Sequence, residues 1–256
     1  MPVRPRPQSP NASERRQVEL IDDLLQQRSL PGDMLPRAPA VVPQLIALLR
    51  EPELPVPAMA DRIGKDPVLA AEVLRQANSS LFAGSGGPVQ DLPHAIRRLG
   101  SLGVQMAIAR VVLRPLYQAA PGSLGSRAAP RLWGRADVLS RHCAQALRQE
   151  GLSPFDGYLG GLLHGTGWTV LLHALQRGGF SATEPLSPEA AFAMEHRAHR
   201  LFGLAAQGWA ITPAFSAFAG DALRNPIERS QDPIAQAMRR VEPLCLAELK
   251  GGELPQ

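Results

Sequence analysis

The segment GLLHGTGW, Gly161 to Trp168, places one histidine, His164, between apolar residues and a glycine-rich turn. An imidazole titrates near neutral pH and also ligates metals, so this position allows two interpretations. Either His164 binds a metal ion, or it is a core residue whose ring nitrogens bond to the backbone or to a neighbouring polar group. The rest of the sequence has to decide between these hypotheses.

Other residues of chemically useful type stand close together along the chain. Cys143 follows His142, which could suggest a nucleophile-base pair. Adjacent helical residues point about 100° apart, however, and Cys143 falls in an apolar stripe that is typical of a core thiol. His196 and His199 are three residues apart on a predicted helix, with Glu195 beside them. That spacing can bind a metal, but no third ligand follows at a recognisable distance, which favours a polar helix face.

Four arginines, Arg131, Arg135, Arg141 and Arg148, lie on one predicted helix. The first two are four residues apart and the last two are seven apart, so each pair shares a helix face. Such pairs are candidate contacts for phosphate or for an acidic partner, and the simpler alternative is a solvated helix face. Trp133 beside them is typical of packing. No helix-turn-helix or RNP-like motif supports nucleic-acid binding, and the glycine clusters lack the lysine and the spacing of phosphate loops.

The composition predicts an ordinary globular protein. The 256 residues carry a net charge of +4, an excess too small to imply a nucleic-acid partner. The two cysteines allow at most one disulfide, and no cysteine-histidine spacing indicates zinc. No apolar run reaches the ~18 residues of a membrane span, and no signal-peptide stretch follows the basic N-terminus. We therefore expect a cytoplasmic protein with no membrane partner.

Apolar residues recur at helical spacing from Ser13 onwards, and no stretch alternates with a period of two. Residues 1–13 hold four prolines and predict a disordered tail, after which Ser13 should cap the first helix. The segment 121–130 predicts an internal boundary, with Pro130 beginning a long helix. The sequence thus predicts an all-α fold with one domain over 14–256 and sub-lobes of about 14–120 and 130–256.

Several local signals predict where helices begin and end. Asp66-Pro67 and Asp91 predict N-termini, because aspartate accepts hydrogen bonds from the free N–H groups of a first turn. Asn78 should end a helix through side-chain to backbone bonding. Gly100 predicts a break before an apolar segment that we expect to be buried. Glu51-Pro52 predicts another helix end, and GSGG at 84–87 predicts a flexible loop.

The order of these signals resembles the HDOD domain, the HD-related output domain of bacterial signalling proteins. The resemblance covers roughly residues 31 to 220 and rests on LPRAPAVVPQLIALL, IGKDPVLAAEVLRQANSSLF, PVQDLPHAIRRLGSLGVQMAI, LWGRADVLSRHCAQAL and YLGGLLHGTGWTVLL. It implies an N-terminal helical bundle packed on a helical half that is related to HD phosphohydrolases.

The resemblance also implies where a metal site would lie. Catalytic HD enzymes hold their metal with one histidine, a later His-Asp pair and a final aspartate, and the metal activates water against a phosphoester. The resemblance places His142 at the first histidine and His164 at the second, close together and buried. Gly165 stands where the aspartate is expected, and Asp221 lies in a degenerate segment near the last position. Two imidazoles without a carboxylate suit neither Mg²⁺ nor zinc, so we expect a vestigial site with no metal and no cofactor.

We therefore expect a non-catalytic signalling or regulatory protein whose partner is another protein. One alternative is a divergent HD-type metal-dependent phosphohydrolase, which would need a carboxylate beside His142 and His164. A second alternative is a nucleic-acid-binding regulator, which would need its arginines to form one continuous patch.

Overall fold

The computed structural model describes residues 10–35, 37–49, 54–79, 82, 87–181 and 186–251. In these residues the secondary structure is helical without a strand, which confirms the predicted all-α class. The helices are α1 Ala12–Leu25, α2 Ala38–Leu49, α3 Val56–Gly64, α4 Pro67–Ala77, α5 Leu92–Leu113, α6 Leu124–Gln149, α7 Pro154–His164, α8 Thr166–Arg177, α9 Pro188–Ala205, α10 Pro213–Arg224 and α11 Pro233–Gly251. A 3-10 turn spans Arg114–Tyr117, between α5 and α6.

Many of these helices begin at a short polar residue that is followed by proline. The side chains of Asp66, Ser187 and Thr212 each accept a hydrogen bond from a backbone N–H of the first turn, and proline takes the next position in each case. Proline fits there because a first-turn residue needs no hydrogen-bond donor. Asp91 caps α5 in the same way, which confirms the predicted start at that residue.

Two predicted helix ends are confirmed by local geometry. The side-chain amide of Asn78 donates to the Leu74 carbonyl at 3.0 Å, and the same side chain pairs with both backbone groups of Val89. Gly100 interrupts α5 with φ 61° and ψ −174°, a backbone conformation that only glycine adopts readily. The chain therefore changes direction between the two halves of α5.

The first helix begins earlier than predicted. Asn11, and not Ser13, caps α1: its side chain accepts from the Glu14 N–H at 2.9 Å, while the Glu14 carboxylate accepts from the Asn11 N–H at 2.7 Å. This reciprocal pair is a capping box. The predicted tail is thus wrong for its last two residues, which are helical. Its residues 1–9, the predicted loop at 84–86 and the helix end predicted at Glu51-Pro52 lie outside the described residues.

The predicted boundary at 121–130 is also wrong over most of its length. Ser123 caps α6 by accepting from the Ser126 N–H at 3.1 Å, so the helix begins at Leu124. Pro130 consequently lies inside α6 and does not begin it. The cap at Ser123 therefore determines where α6 begins, and Pro130 does not.

The apolar core does not divide at the predicted sub-lobes. A smaller cluster joins α3, α4 and both halves of α5, with Ile63, Val73 and Leu99 at its centre. The larger cluster contains residues of α1 and α2 together with α6–α11. Because α1 packs on α8 and α9, and Glu14 accepts from the Ser187 N–H at 2.6 Å, the first helix belongs with the C-terminal half. The division into sub-lobes of about 14–120 and 130–256 stays a prediction, although α1 packs with the C-terminal half.

Residues 92–117 are long and apolar enough to cross a membrane by length and composition, with a mean hydropathy of 1.2. The break at Gly100 divides this stretch, and much of it is buried against neighbouring helices. We interpret it as the central helix of the fold, as the sequence predicts. The cytoplasmic location stays a prediction.

A network of charged side chains joins the small cluster to the large one. The Arg110 guanidinium on α5 binds Glu72 of α4 at 2.7 Å and Asp137 of α6 at 2.6 Å. It also lies 5.3 Å from the ring centre of Trp133, and Glu72 accepts a further bond from Arg75 at 2.6 Å. Arg110 and Asp137 are only 16% and 17% exposed, so the arginine neutralises carboxylates that water reaches poorly.

We expect Arg110→Met to lower the free energy of unfolding by about 3 kcal/mol, because it leaves the poorly solvated Asp137 carboxylate without its cation. Urea titration at pH 7 measures the effect. Arg110→Lys keeps the charge but not the forked geometry, so its loss should be intermediate. The control Arg131→Met removes an exposed arginine and should stay within about 0.5 kcal/mol of the wild type. Equal losses for the methionine variants at 110 and 131 would contradict the role of the network.

Candidate functional site

His164 is the last residue of α7, and glycines determine how deeply that helix is buried. A Cβ on Gly161 would lie 2.6 Å from the Ser140 Cα, and one on Gly157 would lie 2.6 Å from the Cys143 carbonyl oxygen. Both distances are shorter than van der Waals contact, so only glycine allows α7 to lie directly on α6. The close approach leaves His164 only 8% exposed.

His164 contacts His199 of α9. The His164 Nε2 and His199 Nδ1 atoms are 2.9 Å apart, which is a hydrogen-bond distance. The ring of His164 also packs edge-on against Phe202 at 5.4 Å between ring centres, and Phe218 lies close to both histidines. Sequence reasoning assigned His199 to a polar helix face, but it is 2% exposed. Its apolar neighbours Ala198 and Phe202 were the signal that could have indicated burial.

Burial keeps both imidazoles neutral. It lowers the pKa of His164 well below its ordinary value, with further contributions from His199 and from the nearby Arg135 cation. It also lowers the pKa of His199 to about 4, although Asp221, Glu228 and the Asn225 backbone oppose the shift. A neutral pair shares one proton across the 2.9 Å contact, so one ring donates and the other accepts.

Two nitrogens remain at the ends of this pair. The buried His164 Nδ1 and His199 Nε2 have no hydrogen-bond partner of normal geometry, although the Asn225 backbone lies near the second. A cavity of about 210 Å³ adjoins both rings, and Glu195, His196, Glu228 and Glu242 contribute to its walls. The pair therefore lies at the bottom of a small polar cleft.

The donor set of this cleft does not fit the metal of a catalytic HD site. Among the described residues no three histidine, cysteine, aspartate or glutamate side chains converge to hold a metal ion. Glu242 is paired with Arg135 at 2.8 Å, and Glu228 lies 3.8 Å from His196. Zinc in a protein needs three or four ligands, and Mg²⁺ needs oxygen atoms that the histidine pair does not supply.

The place of the missing aspartate is filled by a tyrosine. A Cβ on Gly165 would lie 2.7 Å from the hydroxyl of Tyr117, the last residue of the 3-10 turn. That hydroxyl is buried and donates to the Leu162 carbonyl at 2.5 Å. Burial raises the pKa of Tyr117, which keeps the hydroxyl protonated as a donor. Any side chain at residue 165 would have to displace Tyr117, and sequence reasoning missed this because the two residues are 48 positions apart.

His142 does not join His164, and its predicted burial is wrong. Its Nε2 atom lies 2.9 Å from the Glu248 carboxylate of α11, its side chain is 23% exposed, and it does not line the cleft. Arg135, two helical turns earlier on α6, faces His164 instead. A carboxylate thus reaches His142, but at a site separate from the histidine pair. The resemblance placed the first histidine of the HD motif at His142, whereas the residue that faces His164 is Arg135, seven positions earlier.

The four arginines of α6 do not act together. Arg135 is paired with Glu242 and Arg141 with Glu248, each at 2.8 Å. Arg131 and Arg148 are exposed and make no ion pair with another described residue. Two of the four cations are thus neutralised by α11, so the stripe is not a continuous basic patch.

The remaining candidates are structural. Cys143 is fully buried and burial raises its pKa, as expected of a core thiol. The ring of His196 packs edge-on against Phe192 at 4.5 Å. The Asp221 carboxylate accepts hydrogen bonds from the Asn225 amide and the Ser230 hydroxyl, so it holds the loop after α10 together and is not directed at His164.

Comparison with known proteins identifies one family and several solved structures with a similar fold. The family model described as HDOD domain matches residues 35–210. Among solved structures, one from Shewanella amazonensis, whose name includes the words metal-dependent phosphohydrolase, is 18% identical, with a TM-score of 0.68 over 95% of this chain and 86% of that chain. An HDOD domain protein of unknown function from Geobacter sulfurreducens is 19% identical, with a TM-score of 0.60 over 94% and 81%.

A third structure, from Marinobacter aquaeolei, has signal transduction protein in its name. It is 20% identical, with a TM-score of 0.54 over 93% of this chain and 55% of that chain. At these identities the three structures establish the fold alone. No curated protein matches the chain.

We expect Gly165→Ala to destabilise the protein by about 1–3 kcal/mol, because the new methyl group overlaps the Tyr117 hydroxyl in a packed core. The cost should be about 1 kcal/mol smaller in a Tyr117→Phe background, which removes that oxygen. Urea unfolding of the two single variants and the double variant measures the coupling. Gly32→Ala serves as control, since its methyl group meets no atom within 4 Å. An unchanged cost in the two backgrounds would show that Tyr117 does not exclude a side chain at 165.

The histidine pair predicts a dependence of stability on pH. The folded pKa values of His164 and His199 are lowered, so the unfolded chain, with histidine pKa values near 6.5, binds more protons below that pH. The free energy of unfolding should therefore fall as pH drops, by up to about 1.4 kcal/mol per unit for each histidine between about pH 6 and 5. The variant with both residues changed to glutamine should lose this part of the slope. His94→Gln, at an exposed histidine, is the control and should retain this part of the slope. A wild-type slope in the double variant would contradict the prediction.

Proposed function

The chain belongs to the HDOD domain family, and from this premise we propose that it is a non-catalytic regulatory protein that acts in signalling by binding another macromolecule. The observation that carries the proposal is the Tyr117 hydroxyl in the space beside Gly165, where HD enzymes need a carboxylate. A hydroxyl with a raised pKa is a poor ligand for Mg²⁺, and its proton is already donated to the Leu162 carbonyl.

The contact between the histidines supports the same conclusion. A metal held by His164 Nε2 and His199 Nδ1 would have to replace the proton that joins these two atoms, and no carboxylate contacts either ring to balance its charge.

A divergent phosphohydrolase is the alternative, because one structural relative carries that activity in its name. Glu195 and Glu228 line the cleft and are the carboxylates that a metal there would have to recruit. A nucleic-acid-binding regulator is less well supported, because α11 neutralises two of the four arginines of α6.

We expect the purified full-length chain to hydrolyse bis-p-nitrophenyl phosphate no faster with Mn²⁺, Mg²⁺ or Zn²⁺ than His164→Ala does. EDTA should leave the free energy of unfolding unchanged, whereas His164→Ala should lower it by about 1–3 kcal/mol through a cavity and a lost hydrogen bond. Metal-dependent turnover that disappears in His164→Ala would overturn the proposal. So would a loss of stability in EDTA as large as that caused by the substitution.

The proposed interaction has its own test. Leu244 and Leu246 are 57% and 43% exposed on α11, so this helix presents apolar side chains to solvent. We expect capture from the native host, followed by mass spectrometry, to recover a protein with the wild-type chain but not with Leu244→Asp. Arg131→Met should capture it as the wild type does. Identical recovery with Leu244→Asp would place the interaction elsewhere.

A further inference from the structure

A second cavity, of about 370 Å³, lies between the 3-10 turn, the start of α6 and one side of α8. Met34, Leu35 and Leu116 form apolar walls and are buried. Its lining residues differ from those of the cleft at His164. Its volume falls in the range of sites that bind small molecules, which are largely apolar with a few converging polar groups.

The polar groups of this cavity are hydrogen-bond donors. Gln118 accepts a bond from Arg37 through its side-chain oxygen, and Gln176 accepts one from the Leu124 N–H at 3.0 Å. Each amide oxygen therefore already accepts one hydrogen bond, whereas each NH₂ group has no partner among the described residues and can donate into the cavity. Arg37 binds Gln118 and the Pro115 carbonyl through Nη1, so its Nε and Nη2 atoms have no partner among the described residues.

A buried hydroxyl adds an independent observation. Thr169 of α8 lines the cavity and is 7% exposed, and its Oγ1 atom has no hydrogen-bond partner. An unpaired hydroxyl removed from water is unfavourable, and a helical threonine normally relieves it by bonding to a carbonyl of the preceding turn. Thr169 does not do so, and its Oγ1 atom presents almost no surface to the cavity, so the side chain would have to rotate for the hydroxyl to reach a bound molecule.

The charges around this cavity select the kind of molecule. No aspartate or glutamate is among its lining residues, whereas the guanidinium of Arg37 is. A cavity with one cation, several N–H donors and no carboxylate favours an acceptor-rich, negatively charged ligand over a cationic one. The apolar walls favour an organic body over a bare inorganic ion.

We propose that this cavity binds a small organic anion, with its apolar part against Leu116 and Leu172 and its anionic group on Arg37. The Thr169 hydroxyl and the amide groups of Gln118 and Gln176 meet its remaining acceptor atoms. The proposal goes beyond the regulatory function and does not depend on it, since binding is measured directly. If the cleft at His164 were catalytic, the proposal of an anion site in this cavity would still stand.

The probe for this site is 8-anilinonaphthalene-1-sulfonate, an aromatic sulfonate whose fluorescence rises in apolar surroundings. The full chain should bind one equivalent saturably. Arg37→Met should weaken that affinity tenfold or more, while the affinity for the neutral N-phenyl-1-naphthylamine stays within about twofold of wild type. Leu172→Trp should abolish binding of both probes by filling the cavity.

Two further variants guard against effects on folding. Thr169→Val keeps the shape and should weaken sulfonate binding severalfold while raising the unfolding midpoint, because it removes an unpaired hydroxyl. Leu48→Trp fills the separate cavity of about 490 Å³ between α2 and α5 and should leave binding unchanged. Absence of a saturable site overturns the proposal. Sulfonate binding that is indifferent to Arg37→Met and Leu172→Trp, or that is lost in Leu48→Trp, overturns it as well.

Discussion

The structure depends on the close contact of α7 and α8 with the helices on either side. Gly161 allows α7 to touch the backbone of α6, and a Cβ on Gly167 would lie 1.9 Å from the Ala198 carbonyl oxygen of α9. No larger residue fits at either position without moving a helix. The contact brings the last residue of α7 within hydrogen-bond distance of α9, and so it creates the histidine pair. It also buries both rings, and this burial disfavours the charged imidazole.

This tight packing explains how two histidines are accommodated in the core. His164 and His199 satisfy each other across α7 and α9, and Phe202 and Phe218 enclose them. A single buried imidazole would lose its hydrogen bonds to water on folding, whereas a pair recovers one of them. The neutral state that follows is one that a structural residue tolerates. In that state neither ring itself supplies negative charge to a bound divalent cation.

Local interactions were predictable from the sequence, and contacts between distant segments were not. The caps at Asp66 and Asp91 and the break at Gly100 depend on residues within a few positions, so their signals are complete in a short window. Asn11 was missed because Ser13 is an equally good capping residue two positions later. The prediction for His142 was wrong for another reason. Helical periodicity places His142 and Arg135 on nearly the same face of α6, and only the axial position of α6 relative to α7 distinguishes them. That axial position is set by Gly157 and Gly161, whose partners lie elsewhere in the chain.

The 3-10 turn lies between the cavity that contains Thr169 and the end of α7. Tyr117 occupies the space beside Gly165, while Leu116 and Pro115, one and two residues before it, line the cavity that contains Thr169. A four-residue turn is too short for its ends to move independently. Thr169 and His164 lie on either side of the same glycine turn, five residues apart. A molecule that repositioned Leu116 would therefore act on Tyr117, and Tyr117 bears directly on the end of α7 through the Leu162 carbonyl. Tyr117 thus links the wall of one cavity to the end of the helix that carries His164.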